Sequence, residues 1–223
     1  MNFKDKDLII FDFDGTLINS IPDLTLAVNT MLKYYSLQPL TISQVTPFIG
    51  NGAKPLVRRA LEYRMPDKAL PEPLLKDAFD IYLAAYKDAI CVETFMYSGV
   101  LETLKILDQN GYNMAICTNK PFGFIQPILD TLEITTYFKR WIGEDSLAEK
   151  KPSAAPLLHL VNELNTTIEK SIMVGDSKND ILAAQNANID SIGVSYGYNY
   201  NENIADYKPT IVVDEFAELQ EFF

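Results

Sequence analysis

Residues 8–20 read LIIFDFDGTLINS, an apolar run that ends in two carboxylates and a glycine. The continuous apolar start is typical of a strand that is buried on both faces of a sheet. Asp14 and Gly15 would form a hairpin turn if a second strand followed them. From Ile21 to Tyr35, however, the apolar residues recur at helical spacing. The stretch therefore predicts a buried strand that leads through a turn into a helix.

The rest of the chain alternates between strand-like and helical patterns. Strands are expected at 112–118, 171–176, 191–194 and 210–214, and helices near 99–109, 121–132, 153–164, 178–188 and 214–222. The segment 40–90 has no strand-like pattern, and helices are expected there at 53–63 and 74–87. Strands separated by helices imply βαβ units and a parallel sheet. We therefore predict an α/β core domain of residues 1–17 and 95–223, with an all-helical domain of residues 18–94 inserted into it.

Composition limits the possible functions. The formal net charge of -11 argues against nucleic-acid binding, because affinity for a duplex comes largely from Lys and Arg. No apolar stretch approaches the roughly 20 residues of a membrane span, and the N-terminus lacks a signal-peptide pattern. Cys91 and Cys117 have no metal-binding spacing, which favours a reduced, cytoplasmic setting without a disulfide. We expect no nucleic-acid or membrane partner, and a monomer or a small homo-oligomer.

Polar side chains follow three of the predicted strands. Asp12 and Asp14 follow the first, Thr118 and Asn119 the second, and Asp176 the third. Ligands of open parallel sheets bind outside the carboxyl ends of the strands, so these side chains should share one crevice. Carboxylates gathered without His or Cys suit Mg²⁺. An aspartate at such a site can attack phosphorus to form an aspartyl phosphate, while a second one exchanges protons.

Several of these residues also have a purely structural explanation. Thr118 and Asn119 are compatible with a turn or a helix N-cap. Ser177 and Asp180 have the spacing of a helix capping box. Lys151, within EKKPSAAP, is either a solvated surface lysine or the cation that neutralises a phosphate in the crevice.

In sequence order, four segments resemble the motifs of the haloacid dehalogenase superfamily of phosphohydrolases. The segments are Asp12-Phe13-Asp14-Gly15-Thr16, the strand ending in Thr118, Lys151-Pro152, and Gly175-Asp176 followed by Asp180. The resemblance implies a Rossmannoid core with a parallel sheet and an inserted all-helical cap domain. It also implies a Mg²⁺-dependent reaction through an aspartyl phosphate on a small phosphorylated metabolite.

The same resemblance implies a role for each motif residue. Asp12 is expected to be the nucleophile and Asp14 the general acid and base, a pairing that favours phosphoryl transfer over dehalogenation. The Asp12 carboxylate, the Asp14 backbone carbonyl and Asp176 would hold Mg²⁺, with Asp180 assisting directly or through water. The phosphoryl group would be bound by Gly15, Thr16, Thr118 and the Asn119 amide, and oriented by Lys151.

Four further segments are similar to phosphoglycolate phosphatases: IGNGAKPLVRRAL at 49–61, KPSAAPLL at 151–158, VGDSKNDILAAQNA at 174–187, and YGYNYNENI at 196–204, which is followed by a final DEFAEL. The expected substrate is therefore 2-phosphoglycolate. A phosphosugar phosphatase or a phosphomutase of the same architecture remains the alternative, followed by a non-catalytic binding protein. The hinges of the cap are expected near 17–20 and 93–99.

In the insert, Gly50, Asn51 and Gly52 are expected to offer backbone donors to the substrate, and Lys54 to meet a substrate carboxylate. The other explanation is a tight turn followed by solvated cations, which include Arg58 and Arg59.

Other phosphatase and nucleotide-binding patterns are missing from the sequence. His159 is the only histidine, and neither cysteine begins a Cys-x₅-Arg loop. No GxxxxGK[ST] loop is present. The tyrosines at 196, 198 and 200 are expected to pack a loop that starts just beyond a strand end.

Overall fold

The computed structural model describes residues 2–223 and contains a central sheet of six strands in the order β5-β4-β1-β6-β7-β8. These strands are β1 (Leu8–Phe11), β4 (Asn113–Cys117), β5 (Arg140–Ile142), β6 (Ser171–Gly175), β7 (Asp190–Val194) and β8 (Ile211–Val213). Two further short strands, β2 (Ile18–Asn19) and β3 (Phe95–Met96), pair with each other outside this sheet. Every pair within the central sheet is parallel. The predicted α/β fold with a parallel sheet is confirmed.

Helices cover both faces of the sheet and form a separate layer beside it. They are α1 (Ile21–Tyr34), α2 (Ile42–Val45), α3 (Ala53–Arg64), α4 (Glu72–Asp88), α5 (Val100–Gln109), α6 (Ile125–Thr131), α7 (Ala155–Glu163) and α8 (Lys178–Ala187). Short 3₁₀ helices lie at Thr46–Phe48, Phe122–Phe124, Thr135–Tyr137, Ile204–Tyr207 and Phe216–Glu221. Within residues 2–223, none of the helices has the length and apolar character that a bilayer span needs.

The side chains of the central strands point alternately to the two faces of the sheet, and each face has its own apolar cluster. Ile9 and Phe11 of β1 pack with α5, α6 and the C-terminal 3₁₀ helix. Leu8 and Ile10 of the same strand pack with α7 and α8 on the opposite face. Successive side chains of a strand point to opposite faces, so a strand covered on both sides must be apolar throughout. This requirement explains the unbroken run at the start of the chain.

Several elements differ from the sequence-based expectations. Strands β2 and β3 were not anticipated, and β2 lies within the segment 18–94 that was expected to be all-helical. Strand β5 was not anticipated, because three residues at a sheet edge are too short to show a periodic pattern. The helix expected at 214–222 is a 3₁₀ helix, Phe216–Glu221. Phe216 and Leu219 are both buried there. A three-residue spacing places both side chains on one face of a 3₁₀ helix, so their burial fits this tighter geometry.

Helices α1 to α4 have an apolar cluster of their own. Val28, Leu61 and Tyr82 are almost fully buried within it, and Tyr198 reaches it from a loop beyond the sheet. This helical layer lies within residues 18–94, the segment predicted to be an inserted domain. It covers the carboxyl ends of the central strands.

The two connections between the sheet and the helical layer are tied together. Strands β2 and β3 are antiparallel partners. Asp23, at the start of α1, is fully buried and accepts hydrogen bonds from the backbone N–H groups of Val92, Glu93 and Thr94. The Thr94 hydroxyl also donates to the Asp23 carboxylate at 2.6 Å. A single carboxylate therefore accepts the hydrogen bonds of the three backbone N–H groups just before β3, where the chain returns to the sheet.

We expect Asp23→Asn to lower the free energy of unfolding by about 2–4 kcal/mol, because the new amide NH₂ would face backbone donors that lose their acceptor. Asp80→Asn is the matched control. Asp80 forms an exposed ion pair with Lys76 on α4, and its loss should cost less than about 1 kcal/mol. Denaturant unfolding of the two variants measures the difference, and equal losses would contradict the role assigned to Asp23.

Candidate active site

The predicted strand-end residues meet at one edge of the sheet. Strand β1 is central and is flanked by β4 and β6, so the residues that follow these three strands are neighbours. Nearly all of the polar groups gathered here are removed from solvent: Asp12, Thr118, Asn119, Lys120, Lys151, Asp176 and Asp180 are each at most 8% exposed. Because burying an unpaired charge is costly, the charged groups among these residues must be paired with one another.

The turn after β1 needs a glycine for two reasons. Gly15 has a φ of 93°, a conformation that other residues rarely adopt. A β-carbon at this position would also lie 2.4 Å from Asp176 Oδ2. The same turn brings the Thr16 hydroxyl to Asp176 Oδ1 at 2.9 Å. The Tyr198 N–H donates to Asp176 Oδ2 at 2.6 Å, so both oxygens of this carboxylate are oriented.

Lys151 links two carboxylates. Its Nζ lies 2.9 Å from Asp12 Oδ1 and 2.5 Å from Asp180 Oδ1. Asp12 Oδ1 also accepts a hydrogen bond from the Phe13 N–H at 2.7 Å. Asp180 Oδ2 accepts from the backbone N–H and the hydroxyl of Ser177, at 3.0 and 2.8 Å. Asp180 therefore caps α8 with one oxygen and holds Lys151 with the other, and its expected part in metal binding stays a prediction.

The cluster carries more negative than positive charge. Burial, followed by repulsion from Asp180, raises the pKa of Asp12 to about 7 despite the nearby ammonium of Lys151. Burial, Asp12 and Asp180 raise the pKa of Asp176 well above its ordinary value. Burial alone would lower the pKa of Lys151, but Asp12 and Asp180 outweigh it and raise that pKa. A second positive charge would stabilise the ionised carboxylates.

A divalent cation fits this donor set. Asp12, Asp176 and Asp180 each offer a carboxylate oxygen, and these oxygens lie within 4.8 Å of one another. Three carboxylates with one lysine leave two negative charges to balance, and a site built only from oxygen donors suits a hard cation such as Mg²⁺. The chemistry of the residues present is thus compatible with the expected metal.

Thr118 and Asn119 occupy the strand end as expected, but the Asn119 side chain is committed elsewhere. The Thr118 hydroxyl accepts a hydrogen bond from the Lys120 N–H at 3.2 Å. Asn119 Nδ2 donates to the carbonyls of Gly50 and Lys151, both at 3.1 Å. The side-chain NH₂ thus holds two backbone segments together. The expected phosphoryl contact of Asn119 is left to its backbone N–H and stays a prediction.

Lys120 is a site residue that the sequence reasoning missed. It is 5% exposed, and its Nζ lies 3.0 and 3.2 Å from the two oxygens of Asp14. The same ammonium donates to the Tyr86 hydroxyl of α4 at 2.7 Å. Asp14 also accepts from the Ser20 hydroxyl at 2.5 Å. The available signal was its place directly after the strand-end pair Thr118 and Asn119, before a proline.

The loop at residues 50–52 contacts the core through its carbonyls. The Gly50 carbonyl accepts from Asn179 Nδ2 at 3.1 Å, in addition to Asn119. Lys150 Nζ donates to the Asn51 carbonyl at 2.8 Å. This loop was expected to present N–H donors to a substrate, whereas these contacts use it as an acceptor from the core. Gly50 and Gly52 nevertheless line the cavity beside Asp12.

Lys54, expected to meet a substrate carboxylate, does not line this cavity. Its Nζ lies 5.5 Å from the centre of the Phe79 ring, in a groove on the outer surface of the helical layer. Helix α3 begins at Ala53, which does face the cavity. Successive helical residues are about 100° apart around the axis, so Lys54 turns away. Arg58 pairs with Glu72 in the same outer groove, at 3.3 Å.

The tyrosine loop borders the site, as the sequence suggested. The Tyr196 hydroxyl donates to the Thr16 carbonyl at 2.8 Å. The Tyr198 hydroxyl accepts from the Ser20 N–H at 3.1 Å, and the Tyr200 hydroxyl accepts from Asn179 at 3.1 Å. Each ring thus contacts a different part of the site, namely the turn after β1, the start of α1 and the start of α8.

A cavity lies between the strand ends and the helical layer, with a volume of about 50 Å³. By the same measure, one water molecule needs roughly 10–15 Å³. Its walls are mostly apolar, and they include Leu24, Ile49, Leu56, Tyr82, Tyr86 and Phe124. The charged and amide side chains on its lining are those of Asp12, Asp14, Asn119 and Lys120. The cavity therefore has room for a small group and polar contacts at one end.

Comparison with known proteins gives consistent matches. Residues 9–194 match the model of the haloacid dehalogenase-like hydrolase family. A phosphoglycolate phosphatase of Colwellia psychrerythraea is 48% identical over 98% of this chain and 97% of its own length. Phosphoglycolate phosphatase 1 of Pseudomonas aeruginosa is 42% identical over 95% of this chain and 78% of its own length. A crystal structure from Haemophilus somnus, titled a predicted phosphoglycolate phosphatase, superposes with a TM-score of 0.93 at 39% identity and covers 97% of both chains.

We expect Mg²⁺ to raise the melting temperature by about 5 °C or more when its concentration is near 100 times its Kd, which corresponds to roughly 2.7 kcal/mol of stabilisation. Asp176→Asn should abolish this shift because it removes a carboxylate from the cluster. Asp190→Asn, which alters an ion pair with Lys6 at the start of β7, should retain the shift. Calorimetry with and without Mg²⁺ makes the comparison, and an unchanged shift in Asp176→Asn would argue against this metal site.

Without metal, we expect the stability contributed by protonated Asp12 to be fully present below about pH 4, its pKa in an unfolded chain, and to be lost as the pH rises through about 7. Asp12→Asn removes this titration. In the presence of a chelator, the melting temperature of wild type should therefore fall relative to Asp12→Asn between pH 5 and pH 8. A difference that is constant across this range would contradict the raised pKa.

Proposed function

Because the chain belongs to the haloacid dehalogenase-like hydrolase family, we propose that it is a Mg²⁺-dependent phosphatase that converts 2-phosphoglycolate to glycolate and phosphate. The observation that carries this proposal is the pair of carboxylates after β1. Asp12 is bound by Lys151, and Asp14 is bound by Ser20 and Lys120. The two groups thus have different partners, which suits the different roles of nucleophile and proton carrier.

In the first step, Asp12 attacks the phosphorus atom. Its Oδ1 is occupied by the Phe13 N–H and Lys151, so Oδ2 is the attacking atom. The bond from phosphorus to the glycolate oxygen breaks, and Asp14 gives its proton to that oxygen. The products of this step are glycolate and an aspartyl phosphate on Asp12. Lys151 offsets the negative charge that the phosphoryl group brings.

In the second step, Asp14 takes a proton from a water molecule as the water oxygen attacks the aspartyl phosphate. The bond between phosphorus and Asp12 Oδ2 breaks, which releases phosphate and restores the Asp12 carboxylate and the protonated form of Asp14. Mg²⁺, held by Asp12, Asp176, Asp180 and the Asp14 carbonyl, would neutralise charge on the phosphoryl oxygens. The Thr118 hydroxyl and the Asn119 N–H would bind those oxygens, whereas the N–H groups of Gly15 and Thr16 donate to the carbonyls of Ile18 and Phe13 in the turn.

We assign residues 18–94 to a cap domain that closes over the site. The support for this assignment is the separate apolar cluster of α1 to α4 and the set of contacts at its edge. The Gly50 carbonyl meets Asn119 and Asn179, and the Asn51 carbonyl meets Lys150. Closure excludes water from the transfer step and strengthens the electrostatic interactions within the cavity.

The similarity to the phosphoglycolate phosphatases of Colwellia psychrerythraea and Pseudomonas aeruginosa supports phosphoglycolate over the phosphosugar alternative. We further propose a cytoplasmic location, which is supported by the two cysteines, both of which are free thiols.

We expect phosphate release from 2-phosphoglycolate with Mg²⁺ to fall by about 1,000-fold or more in Asp12→Asn, because the amide is not a nucleophile. Asp145→Asn is the control. Its carboxylate accepts from the Phe122 N–H outside the cavity, and the variant should remain active. Phosphate release from a panel of monoesters is the measurement. Equal rates on glucose 6-phosphate and 2-phosphoglycolate would sink the substrate assignment, and wild-type activity in Asp12→Asn would sink the mechanism.

A further inference from the structure

One cation lies in the mostly apolar lining of the cavity, beside the carboxylates of Asp12 and Asp14. Of the residues that line the cavity within the described chain, Lys120 is the one with a positively charged side chain. The wall around it is formed by rings and aliphatic groups, including those of Tyr86 and Phe124. An ammonium in such surroundings is costly unless it is paired, and it attracts an anion strongly.

We propose that Lys120 is a specificity-determining residue whose ammonium binds the carboxylate of the substrate, the second anionic group of phosphoglycolate. This inference rests on the proposed function and deepens it. The phosphoryl group would lie at Asp12, and the leaving group would extend from Asp14 toward Lys120. Lys120 Nζ lies 3.0 Å from Asp14 Oδ1, so a leaving group whose oxygen meets Asp14 also lies near this ammonium.

The other lysines near the site bind other groups or lie outside the cavity lining. Lys151 is held between Asp12 and Asp180. Lys150 donates to Glu144 and to the Asn51 carbonyl, and it lies outside the cavity lining. Lys54 lies in the outer groove of the helical layer. Lys120 is thus the lysine that a leaving group in the cavity would meet.

The ammonium of Lys120 is also held ready for a ligand. It donates to the Tyr86 hydroxyl at 2.7 Å and lies 4.7 Å from the centre of the same ring. Tyr86 stacks on Tyr82, and their ring planes differ by 6°. Burial raises the pKa of Tyr86, so its hydroxyl stays neutral and does not supply the counter-charge. A group fixed in this way loses little entropy when it binds an anion.

The hydrogen-bond capacity of the ammonium allows an additional partner. A lysine has three N–H donors. One N–H is used by the Tyr86 hydroxyl, and the two oxygens of Asp14, at 3.0 and 3.2 Å, can share another. The third donor is available to a carboxylate oxygen. Charge-assisted hydrogen bonds of this kind are stronger than neutral ones and select for an anionic ligand.

The test compares two substrates that differ in charge at one end, 2-phosphoglycolate and 2-hydroxyethyl phosphate. For Lys120→Met, we expect kcat/KM for phosphoglycolate to fall by about 100-fold or more. For the uncharged ester, we expect a loss of about 10-fold or less, which reflects the missing contact to Asp14. The ratio of the two values, rather than either alone, reports recognition of the carboxylate.

Lys150→Met is the matched control. It removes a lysine that binds the cap loop outside the cavity, so both substrates should lose activity by the same factor. Tyr86→Phe removes the hydroxyl that orients the ammonium and keeps the ring. It should lower the preference for phosphoglycolate by about 3- to 10-fold, and it decides the question if Lys120→Met does not fold.

The outcomes separate the two proposals. If wild type prefers phosphoglycolate and the two variants Lys120→Met and Tyr86→Phe keep the same preference, the role of Lys120 is overturned and the proposed substrate is not. An equal loss on both substrates in Lys120→Met would do the same, because it would indicate that the lysine only positions Asp14. Wild type without any preference for phosphoglycolate would overturn the proposed substrate and this inference together.

Discussion

The ammonium of Lys151 between Asp12 and Asp180 is the interaction on which the site depends. It joins the end of β1 to the first turn of α8 through buried ion pairs. Asp180 caps that helix at the same time, and the Lys151 carbonyl is held by Asn119 at the end of β4. Breaking a buried pair leaves an uncompensated charge, so each of these groups fixes the others. The parallel sheet supplies the positions, and this charge network makes the side chains rigid.

Much of the architecture could be predicted from the sequence, because the physics that produces it is local. The unbroken apolar run at β1 reflects a strand covered on both faces, and the helical spacing after Ile21 excludes a hairpin. Asp12, Thr118 and Asp176 follow apolar runs, so their convergence is a consequence of parallel topology. Strand β5 was not predicted, because three residues at the edge of a sheet are too few to show a periodic pattern.

Other parts of the site depend on contacts between distant segments, which one sequence does not reveal. Lys120 is buried in the folded chain, where it contacts Tyr86 of the distant helix α4. Lys54 looked equally suitable by charge, yet the start of α3 at Ala53 sets its direction away from the cavity. The carbonyls of the loop at 50–52 could not be distinguished from its N–H groups in advance. In each case the sequence supplied the functional group, and tertiary packing set its direction.

The pairing of β2 with β3 has a mechanical consequence. Two separate single-chain connections would let the helical layer tilt, slide and twist independently of the sheet. Here the two connections form a ribbon, and Asp23 fastens the ribbon to the first turn of α1. We expect this pairing to restrict the proposed closure to a hinge-like swing, which would bring Tyr86 back to the same position over Lys120.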